Sequence, residues 1–173
     1  FLVKDLDAIS KLESGELPIN YEIFDISILL QEVVESLELQ AKKHHINLEF
    51  KDKYQTVIKV EADREKIRQV LVNLIDNSIK YGKPNGTTSL KVFELHDQLL
   101  VEVTDDGLGI EEKYQARIFE RFYRTDQSRS REIGGSGLGL AIVKHMLEAQ
   151  KQTITVRSTE GVGSTFGFTL QKA

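Results

Sequence analysis

The sequence predicts an α+β fold, a two-layer sandwich in which one sheet is covered by helices on one face. Two patterns point there: runs of alternating apolar and polar residues come mostly in neighbouring pairs, and three stretches of helical periodicity are set between them. Size and composition agree with a single folded domain, or one domain plus a short appendage, since the 173 residues are 40% hydrophobic and 29% charged.

The same composition excludes several classes of function. With 23 Lys+Arg against 27 Asp+Glu, the net charge of -4 gives no broad positive field, so neither nucleic acid nor an anionic membrane surface is an expected partner. The absence of cysteine excludes disulfides, thiolate metal sites and a cysteine nucleophile, and suits a reducing, cytoplasmic compartment. No apolar run approaches the roughly 18 to 20 residues of a membrane helix, and Phe1 to Lys4 lack a secretory profile. A start without Met reads as a piece of a longer chain.

Taken in order, Leu2, Leu6, Ile9 and Leu12 predict the end of an amphipathic helix that stops at Ser14-Gly15, and its stripe calls for partners in a helical bundle. The expected domains are therefore residues 1–15 and 16–173. A short strand around Ile19 to Ile26 leads into a helix over 27–43, with Ser27 as candidate N-cap. Alternation at Ile46, Leu48 and Phe50, then at Val57, Ile58 and Val60, predicts two strands joined at a polar turn. A second helix spans 63–81 with Asp63 as cap, followed by a hairpin over 88–95 and 98–104. Residues 105–137 lose periodicity and read as a long functional loop with a helical turn near Ile118 to Phe122. A third helix from Gly139 to about Gln150 and strands at 153–158 and 164–170 complete the chain.

Three constellations carry chemistry. On the second helix, Asn73, Asn77 and Lys80 fall in one stripe opposite Ile67, Leu71 and Leu74. Asparagine costs about 0.5 kcal/mol in a helix relative to alanine, and glutamate or lysine would solvate the face more cheaply. What an amide adds is a neutral hard oxygen suited to Mg²⁺. The run Asp105-Asp106-Gly107-Leu108-Gly109-Ile110 ends a predicted strand; a carboxylate there can accept the amino hydrogens of a base edge, selecting adenine over guanine, although Asp-Gly is also ordinary turn chemistry. The glycines of Gly134 to Gly139 lead into a helix, whose free N–H groups and dipole form an anion site; the P-loop pattern is absent. Between them, Phe119 and Phe122 are candidate loop anchors, and Arg124 is the arginine best suited to a phosphoryl group. Arg117, Arg121, Arg129 and Arg131 read as solvated loop surface. Thr165, entering the last strand, is a candidate for holding the base.

Asn73 to Tyr81, Asp105 to Ile110, Ile118 to Arg124, Gly135 to Leu140 and Gly161 to Phe166 resemble, in order and spacing, the N, G1, F, G2 and G3 boxes of sensor histidine kinases. The resemblance covers residues 63–170. It implies a Bergerat-type ATP-binding fold, a mixed five-stranded sheet with three helices on one face and a mobile lid. It implies ATP and Mg²⁺ as ligands, with Asn77 as metal ligand and Asn73 near the phosphates. Lys80 and Tyr81 would flank the nucleotide, Asp105 would read adenine, and Gly107, Gly109 and Ile110 would line the base pocket. Tyr123 and Arg124 would reach ribose and phosphates, while Gly135, Gly137, Leu138, Gly139 and Leu140 would supply hinge and phosphate-binding amides. The implied partners are a dimerisation domain bearing the phosphoacceptor histidine and a response regulator receiver domain, in a homodimeric, membrane-anchored parent. No His box is present, and His44, His45, His96 and His145 lack its context, so the acceptor is expected outside this sequence. Related alternatives are a protein-serine kinase, an ATP-hydrolysing machine or a degenerate nucleotide-sensing module. The hydrolytic machine is disfavoured because Asn73 stands where such enzymes place a glutamate.

Overall fold

Alternating inward residues align across strands to build the core. In the computed structural model, which describes residues 2–15, 18–51, 57–124 and 137–173, the strands are β1 (Glu22–Asp25), β2 (Asn47–Phe50), β3 (Lys59–Ala62), β4 (Thr87–Glu94), β5 (Gln98–Asp105), β6 (Ile154–Thr159) and β7 (Gly163–Lys172). The helices are α1 (Leu2–Ser14), α2 (Ile26–Lys43), α3 (Arg64–Lys80), α4 (Glu112–Gln115) and α5 (Gly139–Ala149). Strand order is β1-β3-β7-β5-β4-β2, with β6 also beside β7, and the β2–β4 pair is parallel while the others are antiparallel. The sheet is mixed, as expected, but has seven strands rather than five. The additional ribbons are short: β1 and β2 each have four residues and lie at its two edges.

Register explains the layers. Val92, Val101, Phe168 and Ile154 form one row across β4, β5, β7 and β6, and Leu90, Val103, Phe166 and Val156 form the next. Most of these side chains are buried under α2, α3 and α5, which contribute Leu29, Leu30, Val33, Ile67, Leu71, Leu74, Ile142 and Val143. At about 25 cal/mol per Å² of apolar area, such burial dominates the drive to fold. The opposite face carries Glu102, Arg157 and the Thr104–Thr165 hydroxyl pair.

Several local expectations are corrected. The strands at 47–50 and 59–62 are not neighbours: β2 pairs with β4, while β3 lies between β1 and β7 near the opposite edge. Alternation identifies a strand but not its partner. The N-cap of α2 is Asp25, whose Oδ1 accepts the Ser27 N–H at 2.9 Å. The helical turn of the long loop lies at Glu112–Gln115, earlier than Ile118 to Phe122. Helix α1 buries Ile9 completely, and it packs on α5. No helix among the described residues is long and apolar enough to cross a membrane.

Candidate functional site

Helix α3 organises the site. Asp63 caps its start, accepting the Lys66 N–H at 3.2 Å, and Ile67, Val70, Leu71, Leu74, Ile75 and Ile79 bury one face. That leaves Asn73, Asn77 and Lys80 half-buried along the other. Asn73 accepts from Gln69 at 3.0 Å and donates to the carbonyl of Gly139 at 3.3 Å, tying the amide stripe to the first turn of α5. Among the described residues, the Asn77 side chain has no hydrogen-bond partner, so its oxygen is available to a ligand. Lys80 forms an ion pair with Asp76 at 3.0 Å, and Gln40 of α2 donates to the other oxygen of Asp76.

The end of β5 meets the end of α3. The Leu108 N–H donates to Tyr81 O at 3.2 Å, and the Gly161 N–H donates to Leu108 O at 2.7 Å, so the loop after Asp105 is fastened on both sides. A Cβ on Gly107 would lie 2.2 Å from Tyr81 O, and one on Gly109, whose φ is +70°, would lie 2.0 Å from Thr159 O. The glycines therefore admit neighbouring backbone, a more local reason than the approach of a planar ring. The Ile110 N–H donates to Ser158 Oγ at 2.7 Å.

Asp105 sits in a polar row, Thr88, Asp105, Ser164 and Ser158, that ends the apolar core on its inward face. Its Oδ1 accepts the Gly107 N–H at 3.0 Å, and the Ser164 N–H and Ser78 hydroxyl lie near the carboxylate. Burial pushes the carboxyl above the usual aspartate range; the N–H groups of Gly107 and Ser164 oppose that, Asp106 adds to it, and Ser78 opposes it. A carboxylate offers about four acceptor positions, so the hydrogen bond from Gly107 leaves room for a ligand.

Thr165 is placed differently from expectation. Its hydroxyl lies 3.0 Å from that of Thr104 on the uncovered face, and Ser164 takes the position opposite Asp105. Successive strand side chains point to opposite faces, so counting back from buried Phe166 would have found Ser164. Ser78, Thr88 and Ser158 were also missed; the available signal was a hydroxyl at an inward position.

Phosphate-facing candidates surround the entrance to α5. Leu138, the residue before α5, is fully buried and its side chain makes no cap hydrogen bond to the first turn of Gly139 and Leu140. Gly137 O accepts the Phe122 N–H at 2.9 Å, which brings the two described ends of the long loop together. Ile118 is buried and Phe119 meets Phe166 edge-on at 6.3 Å between ring centres, so these two anchor the loop. Phe122 does not, being 52% exposed. Tyr123 packs near Tyr114 and beneath the Arg117 guanidinium, and Arg121 pairs with Glu13; neither arginine is simply solvated surface. Tyr123 and Arg124 are half-buried at the end of the described stretch, whereas Gly135, Arg129 and Arg131 lie outside the described residues. A separate open cavity of about 680 Å³ lies beyond Ile110, but Glu111, Glu112 and Glu160 in its wall disfavour phosphates.

This fold and site define a nucleotide-binding class, and residues 62–173 match the family described as histidine kinase-, DNA gyrase B-, and HSP90-like ATPase. The chain belongs to that family. Sensor histidine kinase WalK of Bacillus subtilis (strain 168) is 40% identical over 175 residues, which cover 98% of this chain and 28% of WalK. The chain thus spans 28% of that relative's length. Full-length ShkA in complex with AMPPNP superposes with a TM-score of 0.86 at 27% identity, covering 99% of this chain and 36% of ShkA. Histidine kinase ThkA in complex with response regulator protein TrrA gives a TM-score of 0.75 at 26% identity, covering 99% of this chain and 48% of ThkA. The domain is of the sensor histidine kinase type that the five motifs implied.

Proposed function

We propose that this domain binds Mg-ATP and transfers its γ-phosphoryl group to a histidine carried by a dimerisation domain outside residues 16–173. The observation that carries the reading is Asp105: a half-buried carboxylate, oriented by the Gly107 N–H and left with an acceptor position for a ligand, beside the end of the helix that presents Asn77. That position suits the amino group of adenine and is repelled by an oxygen there. Gly107, Gly109 and Ile110 shape the wall beside the base, and Tyr81 and Lys80 border it from α3. Ser164 replaces Thr165 in this role.

Asn73 and Asn77 face the phosphates, which the N–H groups around Gly137, Leu138, Gly139 and Leu140 receive at the start of α5. The side-chain oxygen of Asn77 fits Mg²⁺, a hard cation that shares its oxygen ligands with phosphates and water rather than requiring a protein cage. Consistent with that, no group of three or more acidic or histidine ligands occurs among the described residues. Bound Mg²⁺ supplies neutralisation of phosphate charge. Tyr123 and Arg124 stand on the loop side to contact ribose and phosphates. Catalysis then rests on alignment and charge stabilisation, and Asn73, an amide, takes no proton from water.

The complex of ThkA with its response regulator supports a receiver domain as the next acceptor of the phosphoryl group. Residues 1–15 read as the end of the dimerisation helix, in a homodimeric parent anchored in the bacterial plasma membrane with this domain on the cytoplasmic side. The test supplies a separately made dimerisation domain, with its histidine, together with γ-labelled ATP and this chain. An acid-labile, base-stable phosphate on that histidine is expected; no transfer to a histidine-bearing partner that stimulates no label above background would refute it.

A further inference from the structure

The segment that joins β5 to α4 is fastened in two different ways. Leu108 is held by backbone on both sides, its N–H donating to Tyr81 O at 3.2 Å and its carbonyl accepting the Gly161 N–H at 2.7 Å. Ile110, two residues on, is held by side chains on both sides: its N–H donates to Ser158 Oγ at 2.7 Å, and its carbonyl accepts from Gln115 Nε2 at 2.9 Å. The same Gln115 nitrogen donates to the carbonyl of Ser158 at 3.0 Å. Ile110, Ser158 and Gln115 thus close a ring of three hydrogen bonds between the loop after Asp105, strand β6 and helix α4.

The chemistry of that ring asks for an amide. Both acceptors are backbone carbonyls, so the atom between them must carry two hydrogens, as the nitrogen of a primary amide does and a carboxylate or a hydroxyl does not. Gln115 ends a helix of a single turn, Glu112–Gln115, whose N-cap residue Glu111 makes no side-chain cap bond. So short a helix has little stability of its own and depends on what holds it. Three residues further on, Ile118 is buried and Phe119 meets Phe166, so the turn is anchored from one side by these residues and from the other by Gln115. Because the bonds on Ile110 come from side chains, one substitution can release it while the backbone bonds on Leu108 stay in place.

We propose that Gln115 is a positioning residue for the nucleotide: it staples Ile110 to β6 and thereby sets how tightly the wall formed by Gly109 and Ile110 holds adenine. This rests on the reading of Gly107, Gly109 and Ile110 as the wall beside the base. Both hydrogens of the Gln115 amide are engaged by carbonyls, so the residue acts through Ile110. The staple also joins that wall to the root of the long loop, since α4 opens the stretch that runs on to Ile118 and Phe119.

The experiment uses the whole 173-residue chain with two substitutions, and thermal unfolding verifies that each variant is folded. Gln115→Met keeps the length of the side chain and removes both donors, while Gln115→Glu keeps its shape and turns a carboxylate on two carbonyls. The first readout needs no ligand: amide hydrogen exchange followed by NMR. In both variants the Ile110 N–H should exchange about tenfold faster, while the Leu108 N–H keeps its wild-type rate. The second readout is affinity for adenosine and for ADP, titrated on the same resonances. In Gln115→Met both should fall by the same factor, about three- to tenfold, because adenosine shares the base with ADP and carries no phosphate. In Gln115→Glu adenosine should lose at least as much. Wild-type exchange at Ile110, equal acceleration at Leu108, or wild-type adenosine affinity in folded Gln115→Met overturns the staple, and so does a loss in Gln115→Glu confined to ADP, which marks the added charge alone. Failure of the wild-type chain to bind either ligand, with exchange behaving as stated, would instead refute the nucleotide reading and leave Gln115 as the fastening of Ile110.

Discussion

Two aspartates mark opposite ends of α3, and they are built for opposite purposes. Asp63, 4% exposed, receives the Asn20 N–H at 2.9 Å, the Lys66 N–H at 3.2 Å and the Lys66 ammonium at 2.9 Å. Burial pushes its carboxyl up, but the Asn20 N–H and the bonds and charge of Lys66 outweigh that and hold it below the ordinary range. Asp105 has donors but no cation, and Asp106 beside it adds repulsion; burial wins and its carboxyl is raised. A saturated carboxylate stabilises the fold, whereas one left short of partners is held at a cost to stability and is ready for a ligand.

The largest expected effect separates the two by function. Asp105→Asn should weaken ATP binding by about 10- to 150-fold, the loss of roughly 1.5–3 kcal/mol for a hydrogen bond to a charged group, while leaving thermal stability at neutral pH equal or higher. Equal affinities of wild type and variant in a calorimetric titration would break the contrast from the binding side. Next in size, Asp63→Ala should lower unfolding free energy by about 2–3 kcal/mol through the lost cap and the stranded Lys66, with ATP affinity unchanged. Chemical denaturation checks it, and an unaffected midpoint would show that Asp63 is dispensable.

The same contrast has a pH signature. Because folding lowers the Asp63 carboxyl, its contribution is in place above about pH 4 and is lost as pH falls through the lowered value. Because folding raises the Asp105 carboxyl, its protonated form is favoured in the native state, and native stability declines as pH rises from about 4 through the raised value. Asp105→Asn should therefore flatten the second slope and Asp63→Ala the first, measured as denaturation midpoints between acid and neutral pH. Smallest of all, Glu13→Ala should cost about 0–1 kcal/mol, since the Arg121 and His145 contacts it removes are partly solvated. A loss several times larger would mean that α1 depends on that charge cluster rather than on Ile9.

The same division runs through what could be read from the sequence. Long elements with strong periodicity were legible: α3 with its Asp63 cap, α5 from Gly139, and the β4–β5 hairpin all follow from local pattern. Pairing was not, because β2 and β3 carry the same alternation whether or not they touch, and only the tertiary register sets them apart. In the site, the motif carboxylate and amides stood out as residues poorly suited to bland roles. The serines and threonine around Asp105 did not, since a hydroxyl in a strand or helix is unremarkable until its neighbours across the sheet are known. Thr165 stands out by its place in the motif, whereas alternation counted from Phe166 puts Ser164 on the inward face opposite Asp105.

The most direct test of the assignment of Asp105 compares ATP with inosine triphosphate, which differs by carrying an oxygen where adenine has its amino group. Titrated calorimetrically into the wild-type chain with Mg²⁺, ATP should bind and inosine triphosphate should bind at least tenfold more weakly, a difference that Asp105→Asn should largely erase. Indistinguishable affinities of the two nucleotides for the wild-type chain would contradict the account.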